Sequence, residues 1–351
     1  MPHPTLSYAA PSAKAALAPF KLDRREVGPT DVLIEIAYCG VCHSDLHQAR
    51  EDWGPALFPM VPGHEIVGHV SAVGAKVDAY KVGDRVGVGC MVDSCRTCEQ
   101  CAAGEEQFCD KGASMTYNGF EQDGKTMTFG GYSQRITVDQ AFVVRVPEAL
   151  PLDRAAPLLC AGITTYSPLK RFGCGPGRKV AVMGLGGLGH VGVRIARAMG
   201  AEVTVISTSE RKRADAAELG AHDFLVSTDA KAMKAAAGRF DLILDTVSAV
   251  HDLNSALNLL RTDGTLVLVG VPEEALPVHP FAIIGRRRRL AGSLIGGIAE
   301  TQEMLDFCAQ HGVLADIETV AMADINQAWE RLLKNDVRYR FVIDMSTLQA
   351  A

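Results

Sequence analysis

Short alternations of apolar and polar residues fill the first part of the chain, as half-buried strands require. In the run 31–37, for example, Val32, Ile34 and Ile36 lie on one face, and the run leads directly into the stretch 40–47. Proline and glycine residues interrupt the pattern at close intervals up to Asp93. This part of the sequence therefore predicts a compact antiparallel barrel or sandwich rather than a helical domain.

From about residue 155, apolar runs alternate with segments of helical periodicity, which is typical of βαβ units and a doubly wound parallel sheet. The pattern predicts buried strands at 179–183, 202–206, 241–245 and 265–269, with helices at 188–199 and 252–261. The basic run from Arg286 to Arg289 is expected to form a solvated face.

The last part of the chain predicts helices at 300–311 and 325–333 and a strand at 338–345. Such a tail can return the chain to its first domain. The expected division is therefore a first domain at 1–154, a nucleotide-binding domain at 155–290 and a returning segment at 291–351, in an α/β protein.

Composition and charge narrow the function. The chain has 351 residues, and 35 basic against 41 acidic residues give a net charge of −6. This balance argues against nucleic acid as a partner. Residues 1–18 lack the pattern of a secretory signal, and no apolar run reaches membrane-spanning length. We therefore expect a cytoplasmic protein that binds neither nucleic acid nor membrane.

Four of the ten cysteines form a cluster with metal-ligand spacing, Cys95, Cys98, Cys101 and Cys109, within a lobe at about 93–110. In a reducing compartment, such spacing favours a closed structural Zn²⁺ site over disulfides, and an iron–sulfur cluster is the rival four-thiolate interpretation. Four cysteine ligands leave no open coordination position, so a catalytic metal would have to bind elsewhere.

Two further stretches concentrate potential ligands. Residues 40–47 contain Cys42, Ser44, Asp45 and two histidines, and His64 stands beside Glu65 before an apolar alternating run. Taken alone, a turn histidine and a solvated glutamate are equally good interpretations of the second stretch.

A glycine-rich turn lies between the strand at 179–183 and the following helix. Gly184 permits a tight turn, Gly186 allows the backbone to approach a pyrophosphate, and Gly189 allows the helix to pack on the strand. Gly187 and Leu188 complete the turn. Because a strand precedes this motif and a helix follows it, the motif specifically predicts dinucleotide binding.

The second strand of this domain ends at Ser207, Thr208 and Ser209, where an NAD-binding site would be expected to carry a carboxylate. Hydroxyl groups followed by Lys212 and Arg213 suit an adenosine 2′-phosphate, which predicts NADP(H). The alternative is that Ser209 caps the next helix and the basic residues form a solvated face.

Together these motifs resemble the zinc-dependent medium-chain alcohol dehydrogenases, and most closely the branch similar to cinnamyl alcohol dehydrogenases. The resemblance covers essentially the whole chain and rests on residues 39–47, 63–74, the four-cysteine lobe, 156–166 and 184–189. It implies a chaperonin-10-like β-barrel catalytic domain, a Rossmann domain, a C-terminal segment that rejoins the barrel, and a homodimer.

The resemblance also implies roles for individual residues. Cys42, His64 and Cys160 would bind the catalytic zinc, Glu65 would be an alternative ligand, and Asp45 would orient a zinc-bound imidazole. Without the resemblance, Cys160 would be interpreted as a buried core cysteine.

Proton transfer would use Ser44 beside the zinc-bound oxygen and His47, whose imidazole has a suitable ordinary pKa. Trp53, Leu57 and Tyr117 are candidate walls of an apolar substrate pocket. The sequence assigns no role to His43, Cys39, Cys90, Cys174 or Cys308.

The leading hypothesis is a zinc enzyme with two Zn²⁺ per chain that reduces aldehydes with NADP(H). Three alternatives remain. They are an NAD-dependent polyol or secondary alcohol dehydrogenase, a non-catalytic zinc- and nucleotide-binding protein, and a nucleic-acid-binding zinc module.

Overall fold

The chain forms two units in a computed structural model that describes residues 2–349. The first unit comprises Met1–Cys160 and Gly296–Ala351, and the second comprises Ala161–Ile295. The first unit is therefore built from two segments that are far apart in sequence.

The first unit consists mainly of strands. These are β1 (His3–Ala9), β2 (Ala18–Arg24), β3 (Asp31–Val41), β4 (Ile66–Val73), β5 (Arg85–Val88), β6 (Met91–Asp93), β7 (Ser114–Met115), β8 (Gly119–Phe120), β9 (Met127–Thr128), β10 (Arg135–Asp139), β11 (Val144–Arg145), β18 (Ile317–Ala321) and β19 (Arg340–Asp344). Its helices are α1 (His43–Ala49), α2 (Glu99–Ala102), α3 (Leu152–Ala155), α10 (Ile298–His311) and α11 (Ile325–Leu333).

A seven-stranded sheet lies at the centre of this unit. Its order is β11-β5-β4-β3-β19-β18, and β10 also pairs with β3. Strand β19 comes from the end of the chain and runs antiparallel to β3, with Phe341 opposite Val41. Because both residues are buried, the returning segment is part of the hydrophobic core of the first unit.

The second unit is a sheet flanked by helices. Its strands are β12 (Lys179–Met183), β13 (Glu202–Ser207), β14 (Asp223–Val226), β15 (Phe240–Asp245), β16 (Leu260–Leu268) and β17 (Arg289–Gly292). Its helices are α4 (Ala161–Arg171), α5 (Gly189–Ala198), α6 (Arg213–Glu218), α7 (Ala230–Ala235), α8 (Leu253–Asn258) and α9 (Pro280–Ile284).

All six strands of this sheet are parallel, in the order β14-β13-β12-β15-β16-β17. The strand order changes direction between β12 and β15, so their carboxyl ends flank a topological switch point. In open α/β sheets, ligands bind at such a point. The doubly wound sheet predicted from the periodicity is confirmed.

The strand predicted at 31–37 extends to Val41, and α1 begins two residues later at His43. Gly40 pairs with Val342 of β19 and donates its N–H to Glu65 O at 2.9 Å. A Cβ at position 40 would lie 1.9 Å from Glu65 Oε2. Gly40 is therefore a strand residue that leaves space for a carboxylate.

Two other expectations require correction. The helix predicted at 252–261 ends at Asn258, because Leu260 already belongs to β16. The solvated face expected at Arg286 to Arg289 is wrong for Arg288, whose side chain is buried and donates to the carbonyls of Leu260 at 3.0 Å and Ala282 at 2.8 Å.

Candidate active site

Four potential metal ligands come together in the first unit. Their donor atoms, from Cys42, His64, Glu65 and Cys160, lie within 4.8 Å of one another, and all four residues are buried. The two sulfur atoms are 3.9 Å apart. Cys42 is the N-cap of α1, His64 and Glu65 immediately precede β4, and Cys160 immediately precedes α4. Three separate segments of the chain therefore supply one cluster.

The donor set suits Zn²⁺, which favours thiolate sulfur and imidazole nitrogen and keeps one position open in catalytic sites. The second carboxylate oxygen of Glu65, Oε2, is buried without a hydrogen-bond partner in the described part of the chain. A metal ion would satisfy this oxygen. Hydrogen bonding between the two thiols lowers the pKa of Cys42 and raises that of Cys160, so this contact favours a thiolate at Cys42.

Asp45 holds the imidazole of this cluster. Its Oδ1 accepts from His64 Nδ1 and from Gly63 N, both at 3.1 Å, and its Oδ2 accepts from Cys42 N at 3.0 Å and from Tyr132 Oη at 3.1 Å. Burial lowers the pKa of His64, but the Asp45 carboxylate outweighs burial and raises it. Because Asp45 engages Nδ1, the other ring nitrogen is the one available to a metal.

One charged partner of the site, Arg340 on β19, has no local feature in the sequence that predicts its role. Its guanidinium forms a buried salt bridge with Glu65, and its Nη1 lies 4.0 Å from Cys42 Sγ. Burial raises the pKa of Glu65 to about 7, although the charge of Arg340 opposes this rise. Arg340 thus compensates the negative charge of the cluster from a position 275 residues away in sequence.

The two predicted proton-transfer residues lie on α1. Ser44 Oγ is 3.5 Å from Cys42 Sγ, which places the hydroxyl beside the ligand cluster. His47 Nδ1 is 3.0 Å from Asp52 Oδ2, and the His47 ring stacks on Trp53 at a centroid distance of 4.8 Å. Asp52 is therefore a further partner that sequence reasoning missed, and it orients the imidazole of His47.

The three candidate pocket residues have different surroundings. Tyr117 is buried, with its ring centroid 5.9 Å from that of His64. Leu57 is half-buried and donates its N–H to Asn118 Oδ1 at 2.7 Å, whereas Trp53 is 43% exposed. Cys90, which had no predicted role, is buried, its Sγ donates to Leu159 O at 3.9 Å, and the neighbouring Cys160 thiol lowers its pKa. The structure thus brings Tyr117 and Cys90 to the ligand cluster.

The four-cysteine lobe forms a second ligand set. The sulfur atoms of Cys95, Cys98, Cys101 and Cys109 lie within 4.8 Å of one another. Cys95 Sγ accepts from Cys98 N at 3.4 Å, and Cys109 Sγ accepts from Cys95 N at 3.4 Å. Hydrogen bonds to sulfur stabilise thiolates, and those from the backbone and the hydroxyl of Thr97 contribute most to lowering the pKa of Cys95 to about 6. The geometry suits a closed tetrahedral Zn²⁺ site.

In the second unit, the glycine-rich turn has the conformation that its sequence predicts. Gly184 has φ +91°, a conformation that favours glycine. A Cβ on Gly189 would lie 2.0 Å from Gly184 O, whereas a Cβ on Gly186 would stand in open space. The turn continues through Gly187 and Leu188 into α5. Open space at Gly186 and the N-terminus of α5 suit the pyrophosphate of a dinucleotide.

The candidate phosphate-binding residues follow β13. Ser207 is buried, Thr208 is exposed and Ser209 is half-buried, while Lys212 Nζ donates to Leu185 O at 2.7 Å and so reaches the glycine-rich turn. The guanidinium of Arg213 is instead held by the carboxylate of Glu210 and lies over the Phe224 ring. Lys212 is therefore the better placed of the two cations.

Comparison with known proteins identifies the family. Residues 28–148 match the alcohol dehydrogenase GroES-like domain, and residues 187–310 match the zinc-binding dehydrogenase domain. An NADP-dependent alcohol dehydrogenase C 1 from Mycolicibacterium smegmatis is 55% identical over 98% of this chain and 99% of the relative. The chain belongs to the zinc-binding alcohol dehydrogenases.

Two solved structures of alcohol dehydrogenases are similar over 99% of this chain and 100% of their own. A cinnamyl alcohol dehydrogenase from Sorghum bicolor has a TM-score of 0.96 and 50% identity. A Helicobacter pylori enzyme of the same name, solved with NADP(H), has a TM-score of 0.93 and 42% identity. The predicted family, the GroES-like and parallel-sheet fold, and the enzyme class of an oxidoreductase are confirmed. In the part of the chain that the structure describes, no helix combines the length and apolar character needed to cross a membrane.

The close approach between Gly40 and Glu65 yields a prediction for this alcohol dehydrogenase. Gly40→Ala should destabilise the first unit by about 1–3 kcal/mol, because the added methyl group overlaps a buried carboxylate. Urea unfolding followed by the fluorescence of Trp53 and Trp329, both in the first unit, measures the change.

Gly119→Ala is the matched control, because the nearest atom to its Cβ, Thr128 Oγ1, would be at an ordinary 3.7 Å. Equal unfolding midpoints for the two variants would contradict the steric argument.

Proposed function

We propose that the protein is an NADP(H)-dependent zinc alcohol dehydrogenase that reduces aromatic or medium-chain aliphatic aldehydes to primary alcohols. The observation that carries the proposal is the buried cluster of Cys42, His64, Glu65 and Cys160 in a member of this family. The names of the similar alcohol and cinnamyl alcohol dehydrogenases support the substrate class and the cofactor.

Cys42, His64 and Cys160 would hold the catalytic zinc, and Glu65 is available as a further ligand. When bound, Zn²⁺ polarises a carbonyl oxygen, and NADPH supplies the hydride. The surrounding residues have supporting roles. Asp45 fixes the orientation of His64, and Arg340 compensates the charge of Glu65 in the absence of water.

Reduction of an aldehyde consumes one proton, and α1 provides a route for it. Ser44 would donate its hydroxyl proton to the nascent alcohol oxygen and recover it from solvent through His47. Asp52 holds Nδ1 of His47, which leaves the opposite nitrogen free to exchange the proton. We propose Tyr117 and Cys90 as the pocket walls nearest the metal ligands, with Leu57 and Trp53 further out.

A spectrophotometric panel tests the reaction itself. Aromatic, aliphatic and polyol substrates are offered with NADPH, NADH and their oxidised forms, and the nicotinamide absorbance is followed. Aldehyde reduction with NADPH is the expected activity. A preference for NAD and polyols would instead support the alternative enzyme, and turnover of no substrate would contradict catalysis.

The two ligand sets predict two Zn²⁺ per chain. Cys42→Ala should abolish turnover, because it removes a ligand of the proposed catalytic zinc. It should reduce the zinc content from two equivalents to one, because the four-cysteine lobe is unchanged. Metal analysis by mass spectrometry checks the content.

Cys39→Ala is the control, because Cys39 is a buried neighbour outside both ligand sets. A wild-type content below two, or near wild-type activity in Cys42→Ala, would contradict the assignment.

Preference for NADP(H) would arise from the hydroxyls of Ser207, Thr208 and Ser209 together with Lys212. Thr208→Asp should weaken NADPH binding about tenfold or more and NADH binding much less, because a carboxylate repels the 2′-phosphate. Titration of nucleotide fluorescence measures both affinities.

Thr208 is exposed, so the substitution does not disturb the core. Thr208→Ala removes the hydroxyl without adding a charge, so it measures the contribution of the hydroxyl alone to nucleotide affinity. Equal weakening of both nucleotides by Thr208→Asp would exclude a phosphate site here.

We also propose a homodimer in the cytoplasm. Strand β17 is an edge strand, which can pair with its own copy around a twofold axis. The helix preceding it exposes Phe281 by 71% and Ile284 by 65%, which suits an apolar interface. Cysteines with metal-ligand spacing suit a reducing compartment.

Sedimentation velocity should find a dimer for the wild type and a monomer for the double variant Phe281→Glu, Ile284→Glu. Val82→Glu is the control, because Val82 is 62% exposed in the first unit. A monomeric wild type, or a double variant that remains dimeric, would exclude this interface.

A further inference from the structure

A buried carboxylate lies beside the glycine-rich turn of the second unit. Asp245 ends β15, is 0% exposed, and stands opposite Met183, the last residue of β12. Gly184 follows Met183 directly. The carboxylate therefore lies at the carboxyl edge of the sheet, next to the segment proposed to bind the dinucleotide.

The residue after this carboxylate packs on the glycine-rich turn. Thr246 Oγ1 donates to Met183 O at 2.9 Å and approaches Gly184 O at 3.3 Å. A Cβ on Gly184 would lie 2.8 Å from Thr246 Oγ1 and 3.1 Å from Val247 Cγ2. The start of the loop after β15 thus forms one wall of the glycine-rich turn, and movement of this loop would alter the turn.

Asp245 forms hydrogen bonds with both ends of this loop. Its Oδ1 accepts from Val247 N at 3.1 Å, and its Oδ2 accepts from His251 Nε2 at 2.7 Å. The other ring nitrogen, His251 Nδ1, is 2.9 Å from Ala249 O. One side chain therefore ties the first and last parts of the segment 246–251 to the end of β15.

The two contacts of the His251 ring favour its charged form. A carbonyl oxygen and an ionised carboxylate can only accept hydrogen bonds, so both ring nitrogens must donate, and only the imidazolium has two donors. The charged groups that face His251 are Asp245 on β15 and Asp252 at the start of α8, and both favour the cation. A neutral imidazole would lose one of the two bonds that close the loop.

We propose that Asp245 and His251 form a proton-dependent latch that positions the segment 246–251 against the glycine-rich turn, so that the dinucleotide binds more tightly when His251 is protonated. The proposal rests on the nucleotide-binding role proposed above. His251 is a positioning residue in this scheme, since it acts through the loop rather than on the reacting atoms.

The direction of the pH dependence follows from the pKa of His251. The hydrogen bond to Asp245 raises this pKa above its ordinary value of about 6.5, although burial opposes the rise. For a raised pKa, the stabilisation is fully present below about pH 6.5 and is lost as the pH rises through the folded-state value. Nucleotide affinity should therefore fall over that window, and nucleotide binding should in turn raise the pKa of His251.

The test measures the Kd of NADH and NADPH for the zinc-loaded full chain between about pH 6 and pH 9. NADH is the primary probe, because it lacks the 2′-phosphate, which itself titrates near pH 6. The wild-type Kd for NADH should rise about three- to tenfold across this range. In His251→Gln the Kd for NADH should stay near the high wild-type value of pH 9 throughout. In His251→Lys, which keeps a cation, the Kd should stay near the low wild-type value of pH 6.

His222→Gln is the matched control, because His222 accepts from Val203 N through Nδ1 in the same unit. Its pH dependence should equal that of the wild type. The same pH dependence in His251→Gln as in the wild type would overturn the latch. Absence of binding of either nucleotide to any form at any pH would overturn the proposed function as well, so the two failures are distinguishable.

A second measurement uses the wild-type protein and does not depend on the folding of any variant. The imidazole resonance of His251 is titrated by NMR with and without NADH. A pKa that rises when NADH binds supports the latch, and a tenfold difference in affinity corresponds to one pKa unit. An unchanged or lowered pKa would overturn it.

Discussion

The buried carboxylate of Asp45 is the constraint on which the cluster of potential metal ligands depends. It is 0% exposed and accepts hydrogen bonds from Cys42 N, Gly63 N, His64 Nδ1 and Tyr132 Oη. A buried charge is tolerated only when its hydrogen-bonding capacity is filled, and donors from three parts of the chain fill this one. One side chain thereby fixes the start of α1, the turn before β4 and the imidazole ring of His64. Trp329 Nε1, 3.5 Å from Tyr132 Oη, extends the network to α11.

The two units prepare their sites by opposite physical means. In the first unit the site is a set of buried charges and donors that compensate one another, so removal of one partner leaves another unsatisfied. In the second unit the site is space left by missing side chains, and Gly186 marks the place where a Cβ would meet nothing. Thr246 packs against Gly184 in the same turn, and Asp245 and His251 hold the loop that follows Thr246. The first site therefore depends on charge compensation, and the second depends on backbone position.

Local patterns were sufficient to predict the parts that depend on neighbouring residues. Strand and helix periodicity on either side of Gly184 predicted the glycine-rich turn, and close spacing predicted the four-cysteine lobe. Interactions between distant segments were not predictable, because no local pattern records them. Cys160 has no local feature of a ligand, and Arg340 looks like an ordinary strand residue until β19 pairs with β3. Gly40 lies beyond the strand predicted at 31–37 for the same reason, since its partners, Glu65 and Val342, come from elsewhere in the chain.

The salt bridge between Glu65 and Arg340 has a consequence for biosynthesis. A ribosome makes the carboxylate 275 residues before its counterion, so during most of translation Glu65 has no partner for burial. Strand β19 is also missing from the central sheet at that stage. By contrast, the unit Ala161–Ile295 is one uninterrupted segment that can fold while the tail is still being synthesised. Vectorial synthesis therefore completes the segment Ala161–Ile295 before the first unit, whose ligand cluster acquires the charge of Arg340 only after the last strand has been made.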